Sequence, residues 1–431
     1  MATFHLGFGK GTLPVTLPDE KILAVIEGRP VQPVGDVRAA VQAALRRPIG
    51  APPLAEVIKP GDKVAIVASD VTRAWLKQDQ FLPVLLDELN GAGIPDDDIF
   101  LVVALGAHRR HSEAEHVATY GQEVVSRIRI LQSYALDEDD FVYVGVTSRG
   151  VRACLNRHVV GADKVILTGG IVYHSMAGFG GGRKSIVPGI ASYQTIQANH
   201  NFCLHPEIGK GTNPHCDSGK LAGNPMHEDL MEIAAMLNPA FLLNAIMTAD
   251  GQFAGFVAGH WRAAWEEGCR TVEAIFGVPV TGKADLVIAS AGGYPKDINL
   301  YQGTKAQDNA MLACKDGGVV ILVLACPDIA EPPDFSGWFD YQSLYDRELA
   351  LRQAFTVPGF VALKCGEYVR RTPNIVVTLP ENRDFIAKTG MIPAASLEEA
   401  LAIAEAKLGR KDYTITVMPH GANTVPLIKT Q

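Results

Sequence analysis

The feature that most constrains this chain is a set of short, nearly unbroken apolar runs, each ending abruptly in polar, reactive side chains. KVAIVAS (63–69) runs into Asp70-Val71-Thr72-Arg73, and FLVVAL (100–105) into Gly106-Ala107-His108-Arg109. VILTGGIVY (165–173) runs into His174 and then Gly178-Phe179-Gly180-Gly181-Gly182-Arg183-Lys184-Ser185. Runs of this length and composition read as strands buried on both faces. Between the first two, FLPVLLDELNGAG (81–93) has helical apolar spacing at Phe81, Leu85, Leu86 and Leu89, with Gly91 and Gly93 as stop signals. Strands alternating with helices require a parallel sheet with covered faces, which predicts a Rossmann-like α/β fold. Ligands of open α/β sheets bind beyond the carboxyl ends of the strands, so Arg73, His108, His174 and Lys184 are expected to gather there.

A second α/β unit begins near Gly277, with strand runs at 284–290, 319–325, 374–380 and 413–419. SLEEALAIAEAKLGR (396–410) opens with the Ser396/Glu399 capping pattern and continues as an amphipathic helix. The expected organisation is two α/β domains, 1–265 and 277–431, joined by a helical connector at 266–276, with the site in the cleft between them. The 431-residue length fits two cores better than one.

Net charge is −8, and the basic residues form isolated pairs (Arg109/Arg110, Arg183/Lys184, Arg370/Arg371), so no nucleic-acid partner is expected. No apolar segment is long enough to span a bilayer, and the first residues carry no basic stretch followed by an apolar run, so neither a membrane partner nor a signal peptide is expected. The seven dispersed cysteines, without a C-x-x-C pair, read as reduced thiols of a cytoplasmic protein.

The strand-end residues each have a structural as well as a chemical reading. Asp70 can be a turn former, and His108 and His174 can be satisfied structural imidazoles. Arg109, Arg110, His111 and His116 read as a solvated helix start. The glycine run fails the P-loop pattern because Arg183 stands where the glycine before Lys184 belongs, yet it can admit an anion to backbone N–H groups. Lys184 is either a counter-ion or, beside Arg183, a nucleophile. Gln302 and Lys305 are three apart on an expected helix capped by Asp297 or Asn299, a pairing that suits a carboxylate.

These same residues carry a resemblance. His174-Ser-Met-Ala-Gly-Phe-Gly-Gly-Gly-Arg-Lys184-Ser-Ile-Val-Pro-Gly, with His200 sixteen residues after Lys184, resembles the lactate racemase family. So do Asp70-x-Thr72-Arg73, Gly106-x-His108-Arg109, Gly223-Asn224-Pro225-Met226-His227-Glu228-Asp229 and Gly292-Gly293-Tyr294-Pro295 followed by Tyr301-Gln302-x-x-Lys305. The resemblance implies an isomerase that inverts the hydroxyl-bearing carbon of a small 2-hydroxy acid. It implies a nickel-pincer nucleotide, a pyridinium-3,5-bisthiocarboxylic acid mononucleotide, attached covalently at Lys184 with His200 as the protein's nickel ligand. It implies His108 and His174 as catalytic acid–base residues, and Asp70, Thr72, Arg73, Gly180, Gly181, Gly182, Arg183 and Ser185 as cofactor-binding. Arg73, Tyr301, Gln302 and Lys305 are implied as substrate-binding, and cofactor-synthesis enzymes as loading partners. The reaction implied is hydride removal to a 2-keto acid and return to either face. The chain departs from the family pattern in two places, at Ala107 and at the Ser175-Met176 pair, which leaves the substrate open among lactate, larger hydroxy acids, dicarboxylates and sugar acids. Two other readings stand beside this one: a nicotinamide-dependent hydroxy-acid dehydrogenase, although no G-x-G-x-x-G follows the first strand, and a non-catalytic nucleotide-binding module.

Overall fold

The computed structural model describes residues 1–428. The described chain divides into two compact units. A terminal unit takes Met1–Arg29, Leu204–Pro214 and the chain from Ala274 onward; a central unit takes Pro30–Cys203 and His215–Glu273.

Among the described residues, the central unit is built on a six-stranded sheet with the order Phe253–Gly259, Phe241–Met247, Lys164–Gly170, Val64–Ser69, Ile99–Gly106, Arg129–Tyr134. All neighbours are parallel except the edge strand 253–259, which runs antiparallel to 241–247. Numbered along the chain, this is the 3-2-1-4-5-6 order of doubly wound folds, with its reversal between 64–69 and 164–170. The interior strands are apolar on both faces because helices cover both sides. Val64, Ile66, Leu101, Val103 and Ile166 are completely buried against Phe81, Leu85, Leu86 and Leu89 of the first helical segment. That helix spans Leu82–Gly91, as its apolar spacing predicts.

The terminal unit carries a second six-stranded sheet, parallel throughout, in the order Ile392–Ala394, Asn374–Val377, Cys314–Val323, Ala284–Ser290, Ile415–Met418, Ile22–Val25. Its edge strand comes from the first thirty residues, where the apolar pattern is too short to read as a strand. A hairpin of Ala2–Phe8 and Gly11–Leu17 precedes it. Leu6, Val15 and Leu17 pack into the same core as Ile288, Ile321 and Val417. The Leu397–Leu408 helix is capped by Ser396, which accepts from the Glu399 N–H at 3.2 Å; the Glu399 carboxylate turns to the Ala395 N–H instead of completing the reciprocal bond with Ser396. Asn299, not Asp297, caps the Leu300–Ala313 helix. Asp297 is buried and accepts from the Gly9 and Ala325 N–H groups. No helix among the described residues is long and apolar enough to cross a membrane.

Candidate active site

The loops at the reversal of strand order carry the reactive residues. Strand 64–69 delivers Asp70, only 4% exposed, whose Oδ1 accepts from the Thr72 hydroxyl at 2.6 Å. Its Oδ2 lies 2.5 Å from His108 Nδ1, delivered by the neighbouring strand 99–106. Burial pushes the Asp70 carboxyl up, but the His108 hydrogen bond and charge, the Thr72 hydroxyl and the Arg73 charge together hold it below the usual carboxylate range. With its Nδ1 proton directed to a carboxylate, neutral His108 presents the Nε2 lone pair, the form a general base needs.

Strand 164–170 ends at Gly170 and is followed by a small hairpin, Tyr173–His174 against Gly178–Phe179. Here His174 Nδ1 accepts from the Met176 and Ala177 N–H groups, each at 3.2 Å, so its neutral ring carries the proton on Nε2. The two imidazoles therefore start from opposite tautomers. Burial, then the positive charges of Lys184 and Arg73, push the His174 imidazolium well below its ordinary pKa.

The glycine run continues into a short 3-10 turn, Gly182–Ser185. Gly181 adopts φ 67° and ψ −177°, which only glycine tolerates, and a Cβ on Gly182 would stand 2.6 Å from the Trp265 ring. The loop's polar groups mostly turn back onto the protein. The Gly180 N–H donates to Val172 O at 2.7 Å, the Gly182 N–H to Asn244 Oδ1 at 2.9 Å, and the Ser185 hydroxyl to Thr168 O at 3.2 Å.

Arg183 is 1% exposed and also points inward. Its guanidinium donates to Phe179 O (2.8 Å), Ala177 O (2.7 Å) and His227 Nδ1 (3.2 Å) and stacks on Trp265 at 3.9 Å. This buried cation and the enclosure of the turn act on the next residue. Burial first, then Arg183 and Arg73, push the Lys184 ammonium down to about 7.

His200 ends the Tyr193–His200 helix and is 2% exposed. Its Nδ1 donates to Ile196 O at 3.0 Å, which fixes the lone pair on Nε2. Burial and the Lys184 charge hold this ring well below its ordinary pKa. Arg73 links the group electrostatically. Its charge favours the Asp70 carboxylate and disfavours both the Lys184 ammonium and the His174 imidazolium.

Several supporting residues escaped the sequence reading as chemistry. Asn224 caps the Pro225–Leu237 helix and donates to Met176 O, bracing the His174 loop. His227 receives Arg183, and Asp229, fully buried, accepts from Asn199, the neighbour of His200. A signal was present: a polar cap at 224 and polar residues at 227 and 229 inside a helix otherwise packed by Met226, Leu230 and Ile233. His111, read as part of a solvated stretch, is instead 7% exposed and accepts from the Val71 N–H.

In the terminal unit, Tyr301, Gln302 and Lys305 lie on the first turns of the Leu300–Ala313 helix. Lys305 Nζ donates to Gln302 Oε1 at 2.7 Å, so the expected pairing on one helical face is present. The Tyr301 ring packs on Phe335 at 5.3 Å.

The central unit is thus a doubly wound α/β domain whose strand-end loops carry a carboxylate-backed histidine and a lysine of depressed pKa. Residues 8–211 match the lactate racemase N-terminal domain and residues 280–425 the lactate racemase C-terminal domain. The lactate racemase of Thermoanaerobacterium thermosaccharolyticum is 33% identical over 99% of both chains, and that of Lactiplantibacillus plantarum 30% identical over 99% of this chain and all of the other. The solved lactate racemase apoprotein from T. thermosaccharolyticum superposes with a TM-score of 0.87 at 31% identity, covering 99% of this chain and 100% of that one. A Thermotoga maritima protein of known structure shares the fold at a TM-score of 0.61 and 16% identity, covering 93% of this chain and all of its own. The chain belongs to the lactate racemase family, a family of isomerases.

Proposed function

We propose that the protein is a racemase or epimerase of a small, lactate-like 2-hydroxy acid, working through a 2-keto acid with a nickel-pincer nucleotide attached at Lys184. The observation that carries this reading is the Asp70–His108 pair, joined through the charge of Arg73 to a lysine whose pKa is held near 7.

The residues present fit such a group. An amine held largely neutral near physiological pH is a competent nucleophile for covalent attachment. His200, with its Nδ1 proton on a backbone carbonyl, has the tautomer and orienting hydrogen bond typical of a metal-ligating imidazole. Among the described residues no three His, Cys, Asp or Glu side chains converge as a chelate, so a metal at His200 takes its remaining donors from a bound group. When bound, the group supplies an acceptor and donor of hydride at a metal-tuned ring.

The chain's own residues do the rest. His108 Nε2 takes the substrate hydroxyl proton as the carbinol hydrogen leaves, and the Asp70 carboxylate stabilises the imidazolium that forms. Inversion needs a proton carrier for each enantiomer, and His174 is assigned to the second: in the tautomer held by the Met176 and Ala177 N–H groups its Nε2–H only hydrogen-bonds the substrate oxygen, and taking the hydroxyl proton on Nε2 requires the other tautomer, with the proton on Nδ1 and those two backbone bonds released. Arg73 is assigned to the substrate carboxylate. Thr72 and the Gly180, Gly181, Gly182 and Ser185 stretch are assigned to the nucleotide, with Arg183 shaping that loop from within. Tyr301, Gln302 and Lys305 are assigned to the substrate on the strength of their own amide–ammonium pairing. Cofactor-synthesis enzymes are the loading partners in this reading.

The test is a panel of single-enantiomer 2-hydroxy acids scored for loss of optical activity, using protein produced with the cofactor-synthesis enzymes. Lactate-class substrates are expected to racemise without added nicotinamide. Protein that carries a mass adduct lost in Lys184→Ala, yet leaves every member of the panel optically unchanged, sinks the reading. Turnover that requires nicotinamide turns it into a dehydrogenase.

A further inference from the structure

Two bonds, not one, join the loop after strand 64–69 to the loop after strand 99–106. The first is the Asp70–His108 contact, whose imidazole is 55% exposed. The second is hidden: His111 Nε2 accepts from the Val71 N–H at 2.9 Å, with the ring 7% exposed. The partners are adjacent in the first loop and three residues apart in the second, so the bonds run side by side.

The hidden bond is itself braced. The His111 N–H donates to Gln132 Oε1 at 2.7 Å, and Gln132 Nε2 returns a bond to His111 O at 3.1 Å. The His111 ring stacks on Tyr120 at 6.5 Å and lies 5.6 Å from the His116 ring. Tyr120 donates its hydroxyl to Ser69 O at 2.9 Å, where Gln78 Nε2 also donates at 2.8 Å. The backbone is therefore fixed on both sides of Asp70, at Ser69 by Tyr120 and Gln78, and at Val71 by His111.

This arrangement sets a chemical requirement. Because Nε2 accepts, His111 must be neutral with its proton on Nδ1, and that buried Nδ1 has no hydrogen-bond partner among the described residues. Protonation of Nε2 would put two donors face to face and break the tie. Burial and the charges of His116 and Arg109 oppose protonation, against Asp70 and Glu115, which favour it.

We propose that His111 is a positioning residue: a neutral buried imidazole that latches the Val71 backbone and so holds Asp70 at bonding distance from the exposed His108. An exposed imidazole paired with one carboxylate loses that geometry readily. A second, water-excluded tie between the same loops keeps it. The proposal deepens the functional reading above and rests on it for the meaning of the Asp70–His108 pair, but its test does not depend on activity.

Full-length apoprotein labelled with 15N-histidine is expected to carry a downfield Nδ1 proton resonance for His108, to be assigned by its loss in His108→Gln. In His111→Gln, whose amide oxygen can accept from Val71, the resonance is expected to persist. In His111→Phe, which keeps the ring stack but cannot accept, it is expected to move upfield or vanish. In the loaded enzyme, kcat in His111→Phe should fall about tenfold with KM unchanged, and His111→Gln should recover most of it. A His111→Phe protein with the wild-type resonance and pH profile overturns the proposal, as does a Gln variant as impaired as the Phe variant. If neither variant folds, wild-type titration decides: the His108 resonance must be lost in step with protonation of His111, and independent titration overturns the latch. Variants that shift the resonance as expected in a protein that racemises nothing refute the function and leave the latch intact.

Discussion

Asp70 Oδ2 and His108 Nδ1 lie 2.5 Å apart, a carboxylate–imidazole pair made by two strands that are neighbours in the sheet but 35 residues apart in sequence between their starts (Val64 and Ile99). The carboxylate orients the ring and selects its tautomer. Asp70→Asn keeps the shape but removes the charge, and kcat of the loaded enzyme is expected to fall on the order of 100-fold or more. Polarimetry of single-enantiomer substrate checks it. Because the folded-state pKa of Asp70 lies below its unfolded value, its stabilising contribution is in place above the ordinary carboxylate range and is lost as pH falls through the folded pKa.

Lys184 behaves in the opposite sense. Its folded pKa is about 7 against 10.5 for an ordinary lysine, so between those values the unfolded chain binds the extra proton and stability rises with pH. Below that window the fold holds a half-buried ammonium beside the Arg183 guanidinium at a cost. Lys184→Met apoprotein should therefore melt above wild type at neutral pH, with the difference shrinking as pH approaches 10.5. An amine-selective acylating reagent near neutral pH should also label Lys184 ahead of the exposed lysines, as read by peptide mass spectrometry.

His200 and Lys184 separate metal retention from covalent attachment. In His200→Ala, nickel content by elemental analysis should collapse while the mass adduct persists. In Lys184→Ala the adduct should disappear. Equal nickel in His200→Ala and wild type would remove this imidazole from the metal site.

The buried guanidinium of Arg183 depends on Trp265, which stacks on it at 3.9 Å and donates its indole N–H to Gly180 O at 2.9 Å. Trp265→Ala removes a fully buried large side chain and the face that shields the cation. Urea unfolding of the full chain should show a loss of about 3–5 kcal/mol. Gly182→Ala attacks the same contact from the other side, since the new methyl meets the indole ring at 2.6 Å; it too should lower the melting temperature.

Much of both sheets was legible in advance because both-face burial writes itself as unbroken apolar runs, and the strands at 64–69, 99–106 and 164–170 of the central unit and 284–290 of the terminal unit begin and end near where those runs do. The Ile22–Val25 strand was not legible: four residues with alternating exposure become a strand only because the Ile415–Met418 edge is there to pair with. The same holds for His111 and Arg183. Beside Arg109 and Arg110 the first reads as solvated, and beside Lys184 the second is implied as cofactor-binding. What turns each inward is a partner far along the chain, Val71 and Gln132 for one, Trp265 and His227 for the other.

The sequence by itself determined which residues end each buried strand, because strand length and the first polar residue after it are local properties. It thereby determined that Asp70, His108, His174 and Lys184 sit at the carboxyl ends of a parallel sheet. Only the tertiary structure decided what state those groups are in. Tautomer and, for Lys184, pKa depend on what lies within a few ångströms through space, and the neighbours concerned — a carboxylate at His108 Nδ1, two backbone N–H groups at His174 Nδ1, a buried guanidinium beside Lys184 — are aimed by the fold.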